Sequence, residues 1–172
     1  CRGIRRIREI LRCNGIPAMA IHATTPLLLW QHYAGGASSS SEDESAQLAR
    51  LMADALRRSL DELVPIAAAC NTRLLLENLA YEPAYPLCYL GGLRPVIDAY
   101  PAEQVGLVID TGHAVLLGAD PVAEIHAGGT RIGGTQLSDV PDGTRFDHRI
   151  PGQGDLDWDG VFAALVAEGY DG

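Results

Sequence analysis

Apolar positions along the 172 residues follow two alternating patterns, short unbroken runs and longer stretches in which they recur every three or four residues. Residues 3 to 13 carry the helical spacing, Asn14-Gly15 is a stop signal, and Ile16 to Ala23 is an apolar run of strand length. Thr24 to Ser41, with Pro26, Gly35, Gly36 and a run of serines, reads as a long loop. Ser41 to Glu44 then forms a capping-box pattern ahead of Leu48, Leu51, Met52, Ala55, Leu56, Leu60, Leu63 and Val64, a helix that Pro65 is expected to kink or end. Arg73 to Leu76 is a second apolar run and closes on Glu77-Asn78. Gly91 to Tyr100 is predicted helical, Gln104 to Ile109 is a third strand closing on Asp110, and helical segments follow at His113 to Leu117 and Pro121 to Ala127. Within the last of these, Asp120, Glu124 and His126 read as surface groups. Ile132 to Leu137 is a fourth strand weakened by glycines, Asp157 to Glu168 is a helix capped by Asp155 or Asp157, and Gly169-Tyr170 is expected to open a fifth strand.

Strands that alternate with helices at this spacing are parallel βα units. A parallel sheet is covered on both faces, which explains strands that are apolar throughout instead of at every second position. The length suits a single domain over residues 1–172, and no run nears the roughly 18 apolar residues of a membrane span, so a soluble, cytoplasmic protein is expected.

Charge narrows the chemistry. All 13 basic residues are arginine, and without lysine the chain can host neither a Schiff-base amine nor a phosphate-loop lysine. A net charge of -9 gives no general attraction to nucleic acid. Arg2, Arg5, Arg6, Arg8 and Arg12, interleaved with Ile4, Ile7, Ile10 and Leu11, read as the solvated face of an amphipathic helix. Cys1, Cys13, Cys70 and Cys88 lack metal-type spacing and read as buried or incidental thiols.

The polar residues sit at strand ends. Successive strands close on His22, Glu77, Asp110 and the Gln136 to Asp139 segment, the end at which parallel α/β folds build their sites. In Asp110-Thr111-Gly112-His113 a carboxylate and an imidazole can reach one point, a donor pair suited to a divalent ion. The plainer alternative is that Asp110 caps the next helix and His113 sits in its first turn.

Three segments in order, Leu74-Leu75-Leu76-Glu77-Asn78, Val108-Ile109-Asp110-Thr111-Gly112-His113, and Gln136-Leu137-Ser138-Asp139 followed by His148-Arg149-Ile150-Pro151-Gly152-Gln153-Gly154-Asp155, resemble the xylose isomerase-like TIM barrels. That resemblance implies a (β/α)8 barrel of which this chain covers about strands 4 to 8. It implies a divalent metal ion (Mn, Mg, Co or Zn) held by Glu77, Asp110 and Gln136, the last standing where the family usually has histidine. The family's fourth ligand, a glutamate, follows a segment like Glu168 to Gly172, where this sequence stops. Catalysis then falls to Glu77 and His113, and substrate contact to His22, His113, His148 and Arg149. The implied activity is isomerisation or epimerisation of a sugar or sugar phosphate by proton abstraction next to a carbonyl. A dehydratase acting on 3-dehydroshikimate or an inosose is the alternative, and an inactive, truncated barrel remains a third reading. Endonuclease IV-type hydrolysis is disfavoured by Gln136, by Phe146 and by the net charge. The implied partner is a small polyhydroxy or sugar-phosphate molecule, with no nucleic acid or membrane, and a homo-oligomer is left open.

Overall fold

Four of the apolar runs form one parallel sheet. In the computed structural model, which describes residues 18–21, 42–80, 85–141 and 148–172, these are β1 (Ala18–Ile21), β2 (Arg73–Glu77), β3 (Val105–Asp110) and β4 (Ile132–Gln136), in spatial order β1-β2-β3-β4. Helices α1 (Glu42–Ala69), α2 (Leu90–Ile97), α3 (Thr111–Leu116), α4 (Pro121–Gly128) and α5 (Trp158–Ala167) occupy the crossovers and follow the last strand. This is part of a TIM-barrel-like α/β fold, as the alternating pattern requires. The helix expected over residues 3 to 13, the loop 24–41 and His22 lie outside the described residues.

Side-chain alternation divides each strand between two faces. Leu74 and Leu76 of β2 and Val105, Leu107 and Ile109 of β3 join Met52, Leu56 and Leu60 of α1, Leu93 and Ile97 of α2 and Ile125 of α4 in one buried cluster. The opposite face carries Arg73, Leu75 and Glu77 beside Gly106, Val108 and Asp110. It is layered. A side chain on Gly106 or Gly133 would collide with the Arg73 guanidinium, and one on Gly134 would crowd Leu75 and Val108. The glycines that weaken β4 as a sequence pattern therefore make room for an arginine at the start of β2 and a leucine above it. A register shift between Leu107 and Val108, which pair with Ile132 and Gly134, turns these neighbouring glycines toward the same space.

Three expectations are corrected. Of the two outcomes expected at Pro65, ending is overturned: α1 runs on to Ala69 with Pro65 inside it on an exposed position, one lost N–H being outweighed by the packing of the rest of the helix. Gly169-Tyr170 does not open a strand. Gly169 takes φ +77° and donates its N–H to the Val166 carbonyl, while the Tyr170 N–H reaches the Leu165 carbonyl, the bonding pattern that closes a helix.

The third concerns Glu124. It is buried, and its Oε2 accepts the Leu90 N–H at 2.6 Å, capping α2 from a neighbouring helix. Asp120 does stay exposed as the cap of α4, and His126 stays exposed beside Glu168. Burial pushes the Glu124 carboxyl upward and the Leu90 amide only partly offsets this, so its folded pKa lies above the unfolded value. A carboxyl raised in this way favours the native state at low pH and loses that advantage as pH rises through its titration. Glu124→Gln, which keeps an acceptor for Leu90 without a buried charge, should gain stability relative to the parent at pH 7 compared with pH 4 in urea unfolding. Glu124→Ala, which leaves the Leu90 N–H unpaired, should lose about 1–3 kcal/mol.

A candidate metal and substrate site at the strand ends

Glu77 and Asp110 are the last residues of β2 and β3, and both are buried, at 1% and 2% exposure. The backbone ladder between the two strands carries Glu77 opposite Val108. Asn78 extends it. Its buried side chain donates Nδ2 to the Asp110 carbonyl at 2.9 Å and accepts the Asp110 N–H on Oδ1 at 2.7 Å, so a side chain does the work of one more strand residue. The main chain of Asp110 is thereby fixed to the residue that follows Glu77.

Asp110 is also the N-cap of α3, with Oδ1 accepting the His113 N–H at 3.0 Å. The capping alternative is thus realised, and it does not compete with the site. It places His113 in the first turn with Nδ1 at 2.8 Å from the Asn78 carbonyl, 3.2 Å from Glu77 Oε1 and 3.7 Å from Asp110 Oδ2. A carbonyl only accepts, so Nδ1 carries a proton and Nε2 is the lone-pair nitrogen of the neutral ring. Burial pulls the His113 pKa down, but the Glu77 bond, the Asp110 charge, the Asn78 carbonyl and the Glu77 charge together raise it above the ordinary value.

The β4 end closes the site from the side. Thr111 Oγ1 donates to the Ser138 carbonyl at 2.7 Å and accepts the Ser138 N–H at 3.0 Å, while Ser138 Oγ lies 3.3 Å from Asp110 Oδ1. A side chain on Gly112 would collide with the Ser138 hydroxyl, so glycine lets these ends meet. Gln136 is exposed, and its Nε2 donates to Glu77 Oε2 at 2.8 Å. Both oxygens of Glu77 are therefore engaged.

His148 arrives from the loop after β4. Its ring meets that of His113 edge-on with centroids 5.3 Å apart, and donor atoms of Asp110, His113 and His148 lie within 4.8 Å of one another. One carboxylate oxygen and two imidazoles suit Mn, Co or Zn, so these residues could hold a divalent ion. Asp110 is common to this cluster and to the Glu77, Asp110, Gln136 set implied by the sequence. Arg149 follows His148 and is exposed, its backbone paired with Asp139. The roles of Asn78, Thr111 and Ser138 had no separate signal in the sequence beyond standing next to the strand-end acids.

The profile described as "Xylose isomerase-like TIM barrel" matches residues 4–172. The chain belongs to that family. Among solved structures, this family member is similar to a "D-tagatose 3-epimerase-like protein" (TM-score 0.70, 19% identity, 98% of this chain and 59% of that one). It is also similar to the "3-keto-D-glucoside 4-epimerase, YcjR" of E. coli (TM-score 0.66, 22% identity, 99% and 60%). A curated relative, the "Uncharacterized protein y4fM" of Sinorhizobium fredii, is 28% identical over 126 residues, which is 73% of this chain and 40% of the relative. The xylose isomerase-like chain thus spans well under two thirds of the length of these relatives. Among its described residues, no helix is long and apolar enough to cross a membrane.

Asn78 gives this site its clearest stability test. Asn78→Ala leaves two buried main-chain groups of Asp110 without their partners, and urea unfolding should register a loss of about 2–4 kcal/mol. Asn78→Asp should cost at least as much, because a carboxylate would face the Asp110 carbonyl.

Proposed function

We propose that this chain forms part of a divalent-metal-dependent isomerase or epimerase of sugars or sugar phosphates, which moves a proton on the carbon next to a carbonyl. The observation that carries the reading is Glu77, a buried carboxylate at a strand end with one oxygen against His113, the other against Gln136, and the Asp110, His113, His148 donor cluster beside it. The names of the similar structures, two of them sugar epimerases or likened to one, support the same class.

Abstracting such a proton needs a base fixed near the carbon and positive charge toward the carbonyl oxygen. The chain has no lysine to supply that charge. A divalent ion on Asp110, His113 and His148, or on Asp110 with Glu77 and Gln136, supplies it when bound. Glu77 takes the proton from one face of the substrate; returning it to the neighbouring carbon gives isomerisation, whereas epimerisation needs a second acid on the opposite face. His113 and Gln136 hold the Glu77 carboxylate in one orientation, so the base need not be ordered as the reaction proceeds. His148 and Arg149, both exposed, meet hydroxyl or phosphate oxygens of the substrate.

Metal analysis of the purified protein checks the first half. One equivalent of Mn, Co or Zn is expected to be retained and to be lost on Asp110→Ala, and a parent protein that binds none of them overturns the reading. For the second half, solvent deuterium should enter candidate ketoses without loss of water. Glu77→Gln should slow that exchange by at least about 100-fold. Loss of water from the substrate in the same assay would favour a dehydratase instead.

A further inference from the structure

We propose that Asp139 is a positioning residue, whose carboxylate gathers the loop after β4 and so holds His148 against Asp110 and His113. The inference rests on the metal-site reading for its consequence, though not for its geometry. Asp139 lies three residues beyond β4 and is fully buried. A carboxylate in that setting needs donors, and it finds them all in the loop and the helix that follows. Oδ1 accepts the N–H of Val140 at 3.0 Å and of Leu156 at 3.2 Å, and Oδ2 accepts the N–H of Gly152 at 2.8 Å and Nε1 of Trp158 at 2.9 Å.

The loop is shaped to this carboxylate. Gly152 takes φ +86°, and a side chain on Gly154 would collide with Asp139 Oδ1, so glycine is what lets the chain pass so close. Burial alone would push the Asp139 carboxyl up, yet Trp158 and the amides of Gly154, Leu156 and Gly152 bring it down to about 2. The group is ionised throughout the neutral range, as an anionic hub requires.

Main-chain bonds carry the effect to the site. The Asp139 N–H donates to the Arg149 carbonyl at 2.8 Å and the Arg149 N–H donates to the Asp139 carbonyl at 2.9 Å, fixing the residue that follows His148. On the other side, Ser138 is tied to Thr111 and Asp110. Two consecutive residues therefore join the metal-binding strand end to the loop that brings the second imidazole. His148 itself is exposed and stands on a loop, so its position depends on what anchors that loop. The Asp139 carboxylate acts through His148, since its own hydrogen bonds go to residues 140 to 158.

Asp139→Asn is the direct test, because a carboxamide must turn an N–H2 group toward amides that themselves donate. In metal-free protein the His113 and His148 ring protons should show a mutual nuclear Overhauser effect that Asp139→Asn abolishes while the β2 and β3 methyl signals stay in place. Persistence of that contact overturns the proposal whether or not the protein binds metal. With Zn2+ as the calorimetric probe, Asp139→Asn should weaken binding by about tenfold or more, as His148→Ala does. In a His148→Ala background, Asp139→Asn should add less than about twofold. A full additional loss there would mean that Asp139 acts by another route, and overturns the proposal. If the parent binds no Zn2+, the metal-site reading fails and the ring contact alone decides the positioning role. Trp158→Phe removes one donor and keeps four amides, so it serves where Asp139→Asn does not fold. It should weaken the ring contact and the Zn2+ affinity in parallel, and loss of affinity with an intact contact counts against the idea.

Discussion

Asn78 exchanges two hydrogen bonds with the main chain of Asp110 at the point where the β2–β3 ladder ends. Backbone pairing aligns strands only while both chains remain extended. β2 leaves the sheet after Glu77, so an Asp110 paired by backbone alone would have no fixed neighbour on that side. Asn78 supplies the missing donor and acceptor from a buried side chain, and its own carbonyl takes the His113 Nδ1–H. One residue thus ties Asp110 to the end of β2 and orients the imidazole that meets both acids. Everything that the strand ends could do chemically depends on that alignment.

The four buried carboxylates among the described residues are compensated in four ways. Glu124 accepts a helix N–H, Asp110 caps the helix that follows it, and Asp139 sits in a ring of loop amides and an indole. For Glu124 and Asp139 those partners hold the acid and leave it nothing else to do, whereas Asp110 both caps its helix and stays within the donor cluster of His113 and His148. Glu77 differs, because the side chains of His113 and Gln136, which can turn, ligate or give up a proton, lie against its two oxygens. The charges are also segregated. Arg73 stands at the opposite end of β2 from Glu77, about 13 Å away by strand rise, in a space cleared by Gly106 and Gly133. The arginine end of the sheet is structural and the acidic end is where reactive groups gather.

Much of this was legible in the sequence, because unbroken apolar runs between helical patterns admit few folds other than a covered parallel sheet. The acids that close β2 and β3 were visible for the same reason, as polar residues that interrupt an otherwise apolar stretch. Glu124 was hidden, since a carboxylate in a short helix looks solvent-facing until a helix start 34 residues away in sequence arrives to use it. The helix end at Glu168 was legible, but not that Gly169 and Tyr170 bond back onto its last turn instead of extending at once. The family resemblance put Asp110, His113 and His148 at one site, but with the histidines as substrate contacts and not as one donor cluster with the acid. His148 lies 35 residues beyond His113 in the chain, and the burial of Asp139 among loop amides has no local sequence signal.

The site is therefore built with graded rigidity. Glu77 and Asp110 are fixed by strand register and by Asn78, His113 by a helix cap, and His148 by a loop around one carboxylate. The strand ends carry Glu77 and Asp110, whereas the loop carries His148, Arg149 and Ile150, all exposed. In a barrel of this kind loops can change while strands keep their register, so the loop residues can vary without moving Glu77. The arrangement also explains why Asp139 is buried and ionised so close to the mouth of the site. A loop that must present an imidazole to a fixed carboxylate needs an anchor as deep as the strand it answers to, and the five donors around Asp139 provide one without adding a second reactive group.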